Sequence, residues 1–255
     1  MTTRFWLRPK WIVGHVLCAF LVILFINLGF WQLRRLHERR AHNKLINDHI
    51  TEPVTTLDDA LHGGVATAQF RRVRITGHWD PGTTVLVRSK SLDEQPGDDV
   101  LTTLVVDGKG VVVNRGFAQL GGGGQTAMLS AVRPDGSGTV TVTGVLRASE
   151  TRGLFGPKDP PTGHLDVVNR IDLGRLQQQT TERLAPVYLQ LVASTPAERA
   201  FIRPIPLPAT SDGPHLSYAI QWFIFASVGA VGWPLLLRKT ARSEATESEE
   251  ADEEV

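Results

Sequence analysis

Two stretches without Asp, Glu, Lys or Arg constrain this chain more than any other feature. One runs from Trp11 to Leu33 and contains the unbroken apolar segment VLCAFLVILFI (16–26). The other runs from Leu216 to Leu237, LSYAIQWFIFASVGAVGWPLLL. At about 1.5 Å of rise per residue, either run as a helix covers the roughly 30 Å hydrocarbon core of a bilayer. The alternative, a pair of buried core helices, fits poorly with runs this long and this free of charge. A cleaved signal peptide competes for the first run, but it needs a shorter apolar region and a small-residue cleavage site. Here the run ends in Gly29-Phe30-Trp31-Gln32, so it reads as an uncleaved anchor. The ten residues ahead of it leave little room for an organelle transit peptide, which favours a bacterial plasma membrane.

The charges fall into blocks. Residues 1–44 carry eight Lys/Arg against one acid, and the tail carries Arg238, Lys239 and Arg242 followed by seven acids. The middle, 45–237, is close to neutral, with 16 Lys/Arg and 18 Asp/Glu. That balance argues against a nucleic-acid partner, which needs a concentrated basic face. The tail SEATESEEADEEV has little apolar content to pack and is expected to be disordered. The single cysteine, Cys18, rules out a disulfide framework and a cysteine-based metal site. With Met1 and Met128 as the only methionines, a Met-rich copper site is ruled out too.

Two spans put both termini on one side of the membrane. Arg238, Lys239 and Arg242 directly after the second span place that side in the cytoplasm, because positive residues stay inside. The first span points the other way: Arg34, Arg35, Arg39, Arg40 and Lys44 follow it, against Arg4, Arg8 and Lys10 ahead of it. The second span is given more weight, because the basic run after the first can have a structural job and long domains translocate despite such charges.

Past Leu33 the helical spacing continues, with Leu33, Leu36, Leu45 and Ile46 near one stripe, until Pro53. The middle then breaks into short strands. Segments 70–79 and 83–89 read as a hairpin about Pro81-Gly82, and 99–107 and 110–118 as a hairpin about Gly108-Lys109-Gly110. Further strands are read at 139–147 and 185–193, with a Gly/Pro loop at 150–164 and a short helix within 168–180. Gly121–Gly124 reads as a flexible loop, and PIPLPATSDGP (204–214) as an extended linker into the second span. Such a pattern predicts a closed or strongly curved, mainly antiparallel sheet.

No nucleophile elbow, P-loop, HExxH or dinucleotide fingerprint is present. The acid pairs Asp58-Asp59 and Asp98-Asp99 read as solvated turns, and His62, His78 and His164 are scattered. Polar residues in the spans are more informative, since ionisable groups at membrane depth are costly and often functional. His15 and Asn27 lie in the first span, and His215 and Gln221 at or in the second. Tyr218 and Trp222, three and seven residues after His215, share its helical face. Two readings stay open: an axial ligand of a haem, or an interfacial histidine in a Tyr/Trp belt.

Five segments, in order, resemble the surfeit locus protein 1 family, the assembly factors of cytochrome c oxidase. They are LGFWQLRRLHER (28–39), VRITGHWD (73–80), VVVNRGFA (111–118), GVLRASETRGLFGPKDPP (144–161) and HLSYAIQWFIFA (215–226). The family usually has Trp where Phe117 stands and Asn where Lys158 stands. The resemblance implies two transmembrane α-helices flanking an extracytoplasmic, mainly antiparallel-β, barrel-like α+β domain. The expected order is cytoplasmic 1–10, span 11–33 with its helix continuing to about 50, domain 51–214, span 215–238 and acidic tail 239–255. It implies a multi-pass plasma-membrane chaperone of the respiratory chain, without enzymatic activity, that helps place haem a in subunit I of an aa3-type oxidase. Expected partners are that subunit, haem A synthase and membrane lipid. His215 is the implied iron ligand, with Trp31, Tyr218 and Trp222 at the cofactor and Trp31 facing Trp222 across a groove. The basic cluster, or Arg115 and Arg152, is a candidate for the haem propionates. Gln32, Arg35, Asn114, Gly116, Arg147, Glu150 and Gln221 are carried as motif positions, with ion pairing of Arg115 or Arg152 to Glu150 as their default duty. A scaffold that holds oxidase subunits without touching haem, and a membrane-anchored enzyme, are the competing classes.

Overall fold

A computed structural model describes residues 5–154 and 156–253. Residues 1–4 of the N-terminal segment, Phe155 of the Gly/Pro loop and the last two tail residues lie outside them. The chain divides into two compact units: Met1–Lys44 with Thr210–Val255, and Leu45–Ala209.

The first unit is a pair of long helices, α1 (Pro9–Thr51, whose last turns belong to the second unit) and α6 (His215–Glu253). Both contain a segment long and apolar enough to cross a membrane. They pair through small residues. A β-carbon on Gly14 would lie 2.6 Å from the Trp233 ring, one on Gly29 would lie 2.7 Å from Phe223, and one on Gly229 would lie 2.9 Å from Val22. In lipid, where apolar burial gives no advantage, such close approach is what holds helices together. On α1 the residues facing α6 fall at Gly29, Gln32, Leu36 and Asn43, and on α6 the buried Ala219 and Ala226 alternate with His215 and Trp222. The acidic tail, which composition predicts to be unstructured, instead continues α6 to Glu253. An already nucleated helix extends through Ala and Glu at little cost, and needs no apolar contacts to do so.

The second unit is the β domain. Its strands are β1 (Arg72–Leu92), β2 (Gln95–Val106), β3 (Lys109–Gln119), β4 (Val140–Ala148), β5 (Val167–Val168), β6 (Arg183–Leu184), β7 (Val187–Thr195) and β8 (Ile202–Arg203). Short helices α2 (Leu57–Leu61), α3 (Val65–Ala68), α4 (Gly124–Val132) and α5 (Leu173–Leu176) complete it. Pairing runs β2–β1–β4–β7–β3 and returns from β3 to β2, so five strands close into a ring. The long pairings are antiparallel, and only β3–β7 among the ring contacts is parallel. Both faces of β2 and β3 are covered, which is why LVV and VVV read as continuous rather than alternating apolar runs. Val111 and Val113 join one core cluster with Leu104 and Leu146, while Val112 joins another with Ile171 and Leu176.

Three sequence expectations change here. The predicted hairpin about Pro81-Gly82 is one bent strand, β1, and the turn falls instead at Asp93-Glu94. At the bend the Asp80 carboxylate accepts from Gly82 N at 3.0 Å and its carbonyl accepts from Thr83 at 2.8 Å, so the Pro-Gly pair makes an irregularity rather than a reversal. Gly121–Gly124 is not only a loop: it leads into α4, which packs Met128, Leu129 and Val132 on Leu86 and Val100. Asp98 and Asp99 are not solvated turn residues but lie buried in β2. The Gly108 hairpin and the short helix near 173 form as the sequence predicts.

Candidate functional site

His215 is the first residue of α6, behind a Gly213-Pro214 turn in which Gly213 has φ +68. Its Nδ1 lies 2.9 Å from Oε1 of Gln32 on α1. Above this contact, α1 grips the lead-in to α6. Arg40 donates to the Asp212 carboxylate at 2.8 Å, Asn43 donates to it at 3.3 Å, and Arg39 donates to the Ser211 carbonyl at 3.2 Å. The hydrogen bond from Arg40 is the main reason the Asp212 carboxyl sits below its ordinary range. Part of the basic run after the first span therefore has structural partners.

Below His215 on the same stripe, Trp222 stacks on Phe25, with centroids 5.5 Å apart and planes at 24°. Beyond Phe25 the two helices enclose an apolar groove of about 520 Å³, lined among others by Leu17, Cys18, Phe225 and Val228. The expected Trp31–Trp222 groove is replaced by this arrangement. Trp31 neighbours Gln32 in sequence but points off the stripe, 46% exposed, and Phe25 takes its place against Trp222. Tyr218 is likewise 46% exposed. Asn27 bonds its own helix at Ile23 O. His15 is held across the pair, its Nδ1 accepting from the Trp233 indole at 2.8 Å.

The comparisons with known proteins bear on this layout. The model of the SURF1 family matches residues 19–227, which takes in both the helix pair through Trp222 and the whole β domain. The chain belongs to the SURF1 family. Uncharacterised SURF1-like proteins of Mycobacterium bovis and Mycobacterium tuberculosis are each 32% identical over 234 residues, covering 89% of this chain and 83% of theirs. Surfeit locus protein 1 of Xenopus tropicalis is 26% identical over 162 residues, covering 54% of this chain and 50% of its own. SURF1 proteins are known generally as assembly factors of cytochrome c oxidase.

Most of the remaining motif positions are structural in this SURF1 domain. Arg115, 3% exposed, donates to both carboxylate oxygens of Glu198, to Thr102 and to the Val132 carbonyl, and lies over Trp79. It therefore has no free edge for a propionate, and its partner is Glu198 rather than the expected Glu150. Arg152 donates to the Gly156 carbonyl, and Glu150 accepts from Ile171 N. Gly116 has φ +140, and a β-carbon there would lie 2.5 Å from Arg203 O, so the motif glycine allows the β3–β8 approach. Asn114 holds Asp99 at 3.2 Å, while Arg147 donates to Gln190. Burial pushes the Asp99 carboxyl up to about 6 and the nearby Tyr188 hydroxyl up to about 12. The sequence reading missed Glu198 and the Arg39/Arg40/Asn43 grip on 211–212. The i, i+4, i+7, i+11 spacing of Gln32, Leu36, Arg39 and Asn43 was the available signal for the grip.

Proposed function

We propose that this SURF1 protein holds haem a for delivery to subunit I of an aa3-type cytochrome c oxidase, with His215 as the residue that would ligate its iron. The observation that carries this reading is a half-buried histidine fixed by a polar partner at the head of a helix pair whose next layer is aromatic. Among the described residues, no three or more His, Cys, Asp or Glu side chains gather to hold a metal. A single histidine nitrogen is what the chain would offer to an iron held by a porphyrin. The residues fit such a group in kind. His215 offers a nitrogen, and Trp222 and the exposed Trp31 and Tyr218 offer aromatic surface. The groove beside Phe25 offers apolar volume for a hydrocarbon tail. Arg34, exposed and without an ion-pair partner among the described residues, replaces Arg115 as the cation for a propionate. When bound, haem a supplies the redox-active iron centre of the oxidase. The chain's own residues bind it, orient it and shield it from water, and no bond-making step is assigned to them.

The same reading puts residues 45–209 outside the plasma membrane and both termini inside. Arg238, Lys239 and Arg242 after the second span support that orientation, and the engagement of Arg39 and Arg40 with 211–212 gives part of the opposing basic run a structural role. Subunit I, haem A synthase and lipid are the partners it requires. The test is purification from membranes that make haem a. A haem a absorbance that is lost in His215→Ala supports the carrier. A colourless protein that still co-purifies with the oxidase supports the scaffold instead.

A further inference from the structure

Two histidines are bonded across the helix pair, and their partners have opposite polarity. The indole of Trp233 can only donate, so the Nδ1 of His15 that it meets at 2.8 Å must carry a lone pair. A neutral imidazole has one N–H, so the proton of His15 is on Nε2. At His215 the atom facing Nδ1 is the carbonyl oxygen of Gln32, which can only accept. Nδ1 of His215 must then be the N–H, and its lone pair is on Nε2. With the Gln32 amide in this orientation, the opposite tautomer would set two lone pairs against each other at 2.9 Å beside the buried Gln32 side chain.

Among the described residues that Nε2 makes no hydrogen bond. A β-carbon on Gly213 would lie 3.7 Å from Nε2 and 3.6 Å from Cδ2. Gln32 itself has little freedom to move. It lies on the α6-facing stripe of α1, one turn before the buried Leu36, and the Arg40–Asp212 and Asn43–Asp212 contacts fix the register of that stripe.

We propose that Gln32 is a positioning residue that holds His215 in the Nδ1–H tautomer, presenting the Nε2 lone pair to iron, while Trp233 holds His15 in the tautomer that has none. This rests on the reading of His215 as an axial ligand, and it explains why one of two cross-bonded histidines serves and the other does not. Partners on the distal nitrogen of a ligating histidine commonly change metal affinity about 10- to 100-fold.

The experiment uses the full-length, haem-free chain, labelled with 15N-histidine, in lipid nanodiscs at about pH 8, where unperturbed histidine is neutral. Long-range proton–nitrogen correlations read the tautomer of each ring, with His215→Ala and His15→Ala giving the assignments. Nδ1–H at His215 and Nε2–H at His15 are expected. Gln32→Leu, and Gln32→Asn as a milder variant that keeps the amide but shortens its reach, should move His215 towards the Nε2–H form and leave His15 unchanged. An Nε2–H tautomer at His215 in the unmodified protein, or no change in both Gln32 variants, would overturn the proposal. In the haem-loaded protein, Gln32→Leu should weaken haem a retention at least about tenfold. Retention equal to that of the unmodified protein would also overturn it. A haem spectrum indifferent to His215→Ala, with the Nδ1–H tautomer intact, would instead overturn the carrier reading and leave the tautomer assignment standing.

Discussion

Arg115 and Glu198 form a two-pronged ion pair inside the β domain, with both hydrogen bonds at 2.6 Å. Sequence separation hides the pair, since Arg115 lies in β3 and Glu198 in the loop after β7. A third donor atom of the guanidinium is used by the Val132 carbonyl at the end of α4, so one side chain ties three elements together. Removing either partner strands a buried charge, which typically costs about 3–5 kcal/mol. Arg115→Met and Glu198→Leu should each lower the unfolding free energy of the domain by that order, read from the urea midpoint of the full chain by pulse proteolysis. The double variant should lose less than the sum, because it leaves no unpaired charge.

Asp99 makes the domain less stable as pH rises. Its carboxyl stands at about 6 in the folded protein against an ordinary 3.8, chiefly from burial, with Glu150 and Asp98 adding repulsion and Lys90 and Asn114 opposing it. Between those values the folded state keeps a proton that the unfolded state has released. The contribution of Asp99 is therefore greatest below about pH 4 and falls away up to about pH 6, by up to about 3 kcal/mol at about 1.4 kcal/mol per tenfold. Asp99→Asn keeps an acceptor for Asn114 and removes the charge. It should raise stability at neutral pH and flatten the profile from about pH 4 to 7, as followed by urea midpoints.

Asp212 has the opposite sign. Its carboxyl is held low, first by the Arg40 hydrogen bond, so the stabilisation it gives is present above the ordinary carboxylate value and lost as the pH falls through the lowered one. Arg40→Ala should return the Asp212 titration to the ordinary range, visible by carboxyl-carbon NMR. Because the pair is well exposed, the variant should barely move the denaturation midpoint.

Both apolar helices and the curved sheet were legible in the sequence because each rests on local pattern: an uncharged run and period-two alternation. What was not legible depends on partners distant in sequence. Asp98 and Asp99 look like turn acids until β3 covers them, and Pro81-Gly82 looks like a reversal until the pairing of β1 with both β2 and β4 keeps it extended. At the candidate site, helical spacing identified the stripe carrying His215 and Trp222. Whether Phe25 or Trp31 meets Trp222 depends on the rotation of α1, which Gly29 and Gln32 set through their contacts on α6.

Gly29 and Gly232 separate packing from propensity in the helix pair. A methyl on Gly29 would lie 2.7 Å from two Phe223 ring atoms, whereas one on Gly232 meets nothing within 4 Å. Gly29→Ala should lower the melting temperature in detergent, because the ring can yield only by moving away from Phe30, with which it is in edge contact. Gly232→Ala should be neutral or raise it slightly, since alanine is the better helix former by about 1 kcal/mol. Equal effects of the two would show that Gly29 is not a packing residue.

The His15–Trp233 bond joins the opposite end of the pair from His215. A β-carbon on Gly14 would strike the same indole, and Trp11 lies 6.0 Å from it, so Trp233 is both a packing centre and a donor. Trp233→Phe removes the N–H and keeps most of the ring. Hydrogen bonds between membrane helices are worth about 0.6 kcal/mol on average and up to about 1.7 kcal/mol, so a loss of that size is expected for the helix pair. Trp233→Ala, which also empties the ring's place beside Gly14, should cost distinctly more. Detergent-to-denaturant titration of the two variants against the unmodified chain measures the difference. A Trp233→Phe variant as weak as Trp233→Ala would mean that the polar contact, not the ring, holds this end of the pair.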